Sequence, residues 1–134
     1  MSDFVADTHA VIWYLSGSKR LSRKGRSIFQ KAADGHSHLV FPSIVLVETL
    51  FLVQRERLSE EIVKILLTLS ENSSDGIYIY PLNMAVIQAL SHFGPAAIPE
   101  LADRIIAATA LHLNLPLLTI DETIRDSKLI ETIW

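Results

Sequence analysis

Short apolar runs alternate with longer helical segments along this sequence, and this alternation limits the possible folds more than any other feature. The short runs are β-branched or otherwise apolar, and Gly, Pro, Asn and Asp residues stand at the joints. Strands that alternate with helices favour a parallel sheet with helices on both faces. We therefore predict five strands, at Phe4–Ala6, Leu39–Phe41, Ile77–Tyr80, Leu117–Thr119 and Ile130–Ile133.

Helical segments fill the intervals between the predicted strands. We place them at Ala10–Leu15, Ser22–Ala33, Ile44–Arg55, Ser59–Ser70, Met84–His92 and Leu101–Leu113. In a parallel sheet of this kind, ligands bind beyond the carboxyl ends of the strands, where the strand order reverses. Functional side chains are therefore expected directly after the strands.

The composition narrows the class of protein further. A chain of 134 residues with 49% hydrophobic residues predicts one globular domain over residues 1–134. The absence of cysteine excludes disulfides, zinc–thiolate sites and thiol nucleophiles. No leader-like segment and no membrane-length apolar run are visible, so we expect a cytoplasmic protein. A mean hydropathy of +0.31 favours self-association or a tight protein partner.

Four carboxylates occur where the predicted topology would bring them to one edge of the sheet. Asp7 follows the first strand and Asp121 follows the fourth. Glu48 lies on the helix after the second strand, and Asp103 lies in the first turn of the helix before the fourth. Taken singly, Asp7 and Asp121 could cap the helices that follow them, and the helix dipole favours Asp103.

Glu48 has no equally simple structural explanation. Its neighbours one helical turn away are all apolar: Ile44, Val45, Phe51 and Leu52. A buried carboxylate normally has a partner, a raised pKa or a metal ion. The alternative is that Glu48 marks the solvated side of its helix together with Arg55.

Considered together, the four carboxylates indicate a binding site for a divalent cation. Carboxylates brought together repel one another, and a divalent cation supplies the missing positive charge. Oxygen ligands without cysteine select Mg²⁺ or Mn²⁺ over zinc. Two such ions about 4 Å apart can activate water and stabilise the leaving oxygen in phosphodiester cleavage.

Positive charge is concentrated in one stretch of this acidic chain. The net charge is −3, yet the sequence KRLSRKGR at 19–26 holds five of the twelve basic residues. These side chains could contact an RNA backbone, because phosphate contacts supply most sequence-independent affinity. A solvated loop and helix start explains them equally well. The candidates for RNA contact are Arg20, Arg23, Lys24, Arg26 and, from another part of the chain, Arg104.

Four segments together resemble the PIN-domain ribonucleases, and specifically the VapC-type toxins of bacterial and archaeal toxin–antitoxin pairs. The segments occur in the order of the family: DTHAVIWYLSG from Asp7, FPSIVLVETLFLVQRERL around Glu48, LADRIIAATALHLNLPLLTIDETIRDS from Leu101, and TIW at the end. The resemblance implies a PIN-like three-layer α/β/α fold with a short five-stranded parallel sheet.

The resemblance also implies a function. It predicts an endoribonuclease that uses Mg²⁺ or Mn²⁺, forms a homodimer and is held inactive by a cognate antitoxin. The implied metal ligands are Asp7, Glu48, Asp103 and Asp121, and the implied supporting residues are Thr8, Thr119 and Glu100. One departure concerns the segment Glu100-Leu101-Ala102-Asp103, where the family often has Asp-Pro-Ala-Asp. This change leaves Glu100 as an extra or substitute acid.

Other interpretations stay open at this point. A catalytically silent PIN-like module could bind metal or a partner through the same acids. A phosphate-accepting receiver is disfavoured because the third strand ends in IYIYPLN, without an acid. A phosphatase with Asp7 as its nucleophile is disfavoured because His9 stands where a second Asp is usual. We interpret Trp13, Tyr14 and Phe51, which lie in apolar helical stretches, as core or dimer contacts rather than as base-stacking surfaces.

Overall fold

A five-stranded parallel sheet forms the centre of the computed structural model, which describes residues 3–71 and 76–134. The strand order is β3-β2-β1-β4-β5, and each neighbouring pair is parallel. The strands are β1 (Phe4–Ala6), β2 (Leu39–Pro42), β3 (Ile77–Tyr80), β4 (Leu117–Leu118) and β5 (Thr132–Ile133). The predicted α/β/α fold with a five-stranded parallel sheet is confirmed.

Helices connect the strands and cover the sheet. They are α1 (Thr8–Leu15), α2 (Arg23–Ala33), α3 (Ser43–Gln54), α4 (Glu60–Glu71), α5 (Met84–Leu90), α6 (Leu101–Leu113) and α7 (Glu122–Asp126). Within the part of the chain that the structure describes, none of them is long and apolar enough to cross a membrane.

The central strands are buried on both faces, which explains why their sequences are continuously apolar. Val5 of β1 pairs with Val40 of β2 on one side and with Leu117 of β4 on the other. Val5 and Leu117 have no exposed surface, and Val40 is also buried. A parallel strand covered by helices on both faces has no solvated side on which polar residues could alternate.

Gly76 fixes the start of β3 against the end of α2. Its N–H donates to the carbonyl of Ala32 at 3.0 Å, and its carbonyl accepts from the N–H of Leu39 at 2.7 Å. A Cβ atom on Gly76 would lie 2.0 Å from the carbonyl oxygen of Ser37 and 2.7 Å from that of Ala32. The backbone approaches too closely here for any side chain.

The sequence prediction missed one helix and placed some ends differently. Helix α7 was not predicted, because its five residues are too few to show a helical period. Strand β5 begins at Thr132 rather than Ile130, and β4 ends at Leu118 rather than Thr119. Helix α1 begins at Thr8, two residues earlier than predicted, because Asp7 caps it.

Candidate active site

The strand order reverses between β1 and β4, and this reversal creates the candidate site. The chain runs from β1 outward to β2 and β3, then returns to place β4 on the other side of β1. The N–H of Asp7 donates to the carbonyl of Leu118 at 3.2 Å, so the ends of the two strands are joined. The residues that follow β1 and β4 therefore lie side by side at the carboxyl edge, where parallel sheets bind ligands.

Asp7 is buried at this edge and held by two hydrogen bonds. Its Oδ1 accepts from the N–H of Ala10 at 2.9 Å, so it does cap α1, and its Oδ2 accepts from the hydroxyl of Thr119. Only 4% of Asp7 is exposed, and this burial raises its pKa despite the two bonds, which lower it. The carboxylate is therefore fixed in position and costly to keep ionised.

Glu48 reaches the same edge from the middle of α3. It is half-buried, and its Oε1 accepts a hydrogen bond from the hydroxyl of Thr8, the first residue of α1. This contact gives Glu48 the partner that its apolar surroundings require. Thr8 thus orients one acid while its neighbour Asp7 provides another.

Asp103 is a half-buried acid in the first turn of α6. Burial, followed by the charges of Asp121, Glu48, Asp7 and Glu100, raises its pKa to about 7. Carboxylates affect one another this way only when they lie close together in a poorly solvated site. Asp103 therefore lies in a partly desolvated position near acids from other elements of the fold.

Asp121 caps α7 beside these acids. Its Oδ1 accepts from the N–H of Ile124 at 3.1 Å and from the hydroxyl of Thr123 at 2.6 Å. Its own N–H donates to the hydroxyl oxygen of Thr119 at 3.1 Å. Thr119, which is fully buried, therefore connects Asp121 to Asp7.

The four acids line one open cleft of about 240 Å³. It is lined by Asp7, Thr8, His9, Trp13, Glu48, Asp103, Ile120 and Asp121. The donors are carboxylate oxygens, which suit Mg²⁺ or Mn²⁺, and their mutual repulsion would be relieved by a cation. Among residues 3–71 and 76–134, however, no three acidic or histidine side chains already stand in a ligand arrangement. The donor set fits a hard divalent cation in chemistry, whereas its spacing would have to adjust.

The predicted basic contacts do not share one surface. The guanidinium of Arg20 lies 5.8 Å from the ring centroid of Trp13, which lines the acidic cleft. Arg26 instead donates through Nη2 to the carbonyl of Ser18 at 2.9 Å. Lys24 lines a different cavity at the opposite edge of the sheet. Proximity to the acids therefore favours Arg20 over the other basic residues of 19–26.

The remaining predicted residues, Glu100, Arg104 and Arg23, lie at or near the beginnings of α6 and α2. Glu100 is exposed and precedes α6, where its charge acts on Asp103. The Nε of Arg104 is buried and has no hydrogen-bond partner in the described part of the chain. Arg23 is exposed at the first position of α2.

Three cleft residues, His9, Trp13 and Ile120, were missing from the predicted site. The interpretation of Trp13 as only a core or dimer contact is incomplete, because its ring lines the cleft. Tyr14 does pack in the core, stacked on Phe29 with ring centroids 4.3 Å apart. Phe51 is 53% exposed, so it is not a core residue. The spacing of His9 and Trp13, one helical turn apart directly after Asp7, was the available signal.

The fold and the cleft define a class of α/β protein with an acidic site at the switch point of its sheet. The chain belongs to the PIN domain family, whose sequence model matches residues 4–128. No curated protein matches the sequence.

Solved structures of similar fold cover nearly the whole chain. VapBC2 from Rickettsia felis, bound to a DNA fragment from its promoter, has a TM-score of 0.72 at 14% identity, covering 98% of this chain and 97% of that one. FitAcB from Neisseria gonorrhoeae has a TM-score of 0.63 at 18% identity, covering 98% and 96%. A toxin–antitoxin complex from Klebsiella pneumoniae has a TM-score of 0.64 at 16% identity, covering 100% and 97%. At these identities the similarity establishes the fold.

Proposed function

We propose that this PIN-domain protein is a metal-dependent endoribonuclease and the toxin of a type II toxin–antitoxin pair. The observation that carries the proposal is the convergence of Asp7, Glu48, Asp103 and Asp121 on one cleft, which is expressed in the raised pKa of Asp103. In this proposal the four carboxylates hold Mg²⁺ or Mn²⁺. A bound ion of this kind would lower the pKa of water and offset charge on the phosphate, so no histidine base is needed.

The protein's own contribution would be to hold the carboxylates in place. The bonds from Thr119 and Ala10 fix Asp7, and the bond from Thr8 orients Glu48. Hydrogen bonds to metal-binding carboxylates commonly set both their orientation and the affinity for the ion. Thr8 and Thr119 are thus supporting residues in this proposal.

Asp103 is partly protonated near neutral pH, and this protonation bears on metal binding. With a pKa of about 7, it is protonated in an appreciable fraction of metal-free molecules near neutral pH. Metal binding would require that proton to leave, because a carboxylate binds a cation in its ionised form. Metal affinity should therefore rise with pH around neutrality.

The proposal includes protein partners as well as RNA. The structures of similar fold include a toxin–antitoxin complex, which supports an antitoxin as partner. Exposed apolar side chains on α3, among them Val47, Leu50 and Phe51, support at least one protein contact. We propose a homodimer and a cognate antitoxin, both in the cytoplasm.

A catalytically silent module is the second candidate. It is favoured by one observation, that no three acids of the described residues are already arranged as metal ligands. Such a protein would keep the fold and the cleft and would bind a metal ion or a protein partner without cleaving RNA.

Cleavage of RNA by the purified protein separates the two candidates. We expect cleavage that requires Mg²⁺ or Mn²⁺, stops with EDTA and is abolished by Asp7→Asn. Glu131→Gln changes an exposed acid outside the cleft and serves as the control that should stay active. Full activity of Asp7→Asn, in protein free of contaminating nuclease, would overturn the proposal. If the wild-type chain cleaves RNA neither with Mg²⁺ nor with Mn²⁺, the catalytically silent module is favoured.

A further inference from the structure

One wall of the acidic cleft is aromatic. His9 and Trp13 lie one turn apart on α1, and their ring centroids are 5.5 Å apart. The ring of Trp13 is also nearly perpendicular to that of Trp134, with centroids 5.7 Å apart, and the guanidinium of Arg20 lies 5.8 Å from its centroid. We call His9 and Trp13 the aromatic wall. It shares the cleft with the four carboxylates.

Trp13 packs partly against the core, whereas His9 is exposed, so core packing does not fully account for this wall. His9 is exposed, and its ring makes no hydrogen bond with any described residue. Trp13 is only partly buried, and the contacts with Trp134 and Arg20 hold its ring while part of it still lines the cleft. Rings that are fixed on one side and open to a cleft on another lose little freedom when a flat ligand packs on them.

The acids and the wall together match the chemistry of a nucleotide. The carboxylates would act on a phosphate through their cation, and a base attached to that phosphate would lie against a neighbouring surface. Aromatic rings bind bases by stacking, and a guanidinium binds phosphate. Bases inside a duplex have both faces covered, so only an unpaired nucleotide could use such a wall.

We propose that the aromatic wall stacks against the base next to the scissile phosphate and that Arg20 contacts an adjacent phosphate. This inference builds on the proposed ribonuclease function and assigns the side chains that would contact the nucleotide beside the scissile phosphate. His9 and Trp13 are then substrate-positioning residues that contact RNA directly.

The fluorescence of Trp13 tests the contact without any cleavage. The chain has two tryptophans, so Trp134→Phe leaves Trp13 as the sole source of indole emission, and adding Asp7→Asn prevents turnover. Titration with a short single-stranded RNA and Mg²⁺ should reduce this emission. The perfectly paired duplex of the same sequence and inorganic polyphosphate should not. An unchanged signal, or equal quenching by polyphosphate, would overturn the inference.

Substitution of His9 provides a second test, because an exposed side chain can be changed without loss of the fold. His9→Ala should raise KM about tenfold, with a smaller change in kcat, since one stacked base is lost. His9→Phe should restore KM, because phenylalanine stacks but cannot titrate. His36→Ala is the matched control, as His36 is exposed and lines a different cavity. An unchanged KM in His9→Ala would contradict the proposal that His9 stacks on a base of the RNA.

The two proposals fail in different ways. If Asp7→Asn cleaves RNA as the wild type does, the ribonuclease function is wrong. If cleavage needs Asp7 and metal, while Trp13 emission and the KM of His9→Ala are unchanged, only the aromatic wall is wrong.

Discussion

The hydroxyl of Thr119 donates a hydrogen bond to the buried carboxylate of Asp7, and this bond joins the ends of β4 and β1 where the strand order reverses. The oxygen of the same hydroxyl accepts from the N–H of Asp121. One buried side chain therefore contacts two acids that lie near opposite ends of the sequence.

Removing this hydroxyl should affect both stability and activity. Thr119→Val keeps the shape of the side chain but leaves Asp7 with one hydrogen bond fewer and the N–H of Asp121 without its partner. We expect a loss of about 1–3 kcal/mol in the free energy of unfolding, measured with urea. The rate of RNA cleavage should also fall. Thr119→Ser should retain most of the stability and most of the activity. A valine variant equal to the wild type would show that the bond has no role.

The bond from Thr8 to Glu48 should matter mainly for the metal. Thr8→Val frees the half-buried carboxylate of Glu48, which then samples orientations that do not suit a cation. We expect the Mg²⁺ concentration for half-maximal cleavage to rise about tenfold. Thr8→Ser keeps the hydroxyl and should stay close to the wild type. Equal metal requirements in all three proteins would argue against Glu48 as a ligand.

The stability of the metal-free protein should depend on the proton of Asp103. The pKa of Asp103 rises from 3.8 to about 7 on folding, first through burial and then through Asp121, Glu48 and Asp7. A raised pKa stabilises the fold fully below pH 3.8, and this contribution is lost as the pH rises through about 7. The raised pKa of Asp7 acts in the same direction.

Asp103→Asn isolates this effect, because asparagine keeps the shape without the charge. In EDTA, the melting temperature of Asp103→Asn relative to the wild type should increase between pH 5 and pH 8. Glu131→Gln, at an exposed site outside the cleft, should show no such trend. Adding Mg²⁺ at pH 8 should stabilise the wild type and not Asp103→Asn. A difference in melting temperature that is constant across this range would contradict the pKa assignment.

Substitutions at two glycines, Gly76 and Gly94, test how closely the backbone packs at the start of β3. Gly76→Ala would place Cβ 2.0 Å from the carbonyl oxygen of Ser37 and 2.7 Å from that of Ala32, so the start of β3 would have to move away from both the end of α2 and the segment before β2. We expect a loss of about 2 kcal/mol or more in the free energy of unfolding. Gly94→Ala meets nothing within 4 Å and should change it by less than about 0.5 kcal/mol. Equal effects of the two substitutions would mean that α2 and β3 are arranged differently.

Much of the fold could be predicted from the sequence because local and global signals agree. The strands β1 and β3 and the helix α6 have the predicted ends, since apolar runs there are bounded by residues that cap or break. Helix α7 escaped prediction because its five residues contain one buried side chain, Ile124, and no repeated pattern. Cap formation by Asp121, which the sequence did suggest, was the only sign of it.

The sequence predicted which acids form the site. It did not predict the hydrogen bonds and aromatic contacts around them. The positions of Asp7 and Asp121 after adjacent strands follow from the parallel topology. The bond between Thr8 and Glu48 depends on how α1 packs against α3, because the two residues are 40 positions apart in sequence and no local pattern encodes the contact. The contact between Trp13 and Trp134 likewise joins residues that are far apart in sequence.

The most direct test of the central claim is a crystal structure of the wild-type protein soaked with Mn²⁺, whose anomalous scattering locates the ion. We predict an anomalous peak in the acidic cleft, within about 2.0–2.6 Å of carboxylate oxygens from Asp7 and at least one of Glu48, Asp103 and Asp121. A cleft without such a peak, in crystals of protein that cleaves RNA with Mn²⁺, would contradict the assignment of these carboxylates as the metal site.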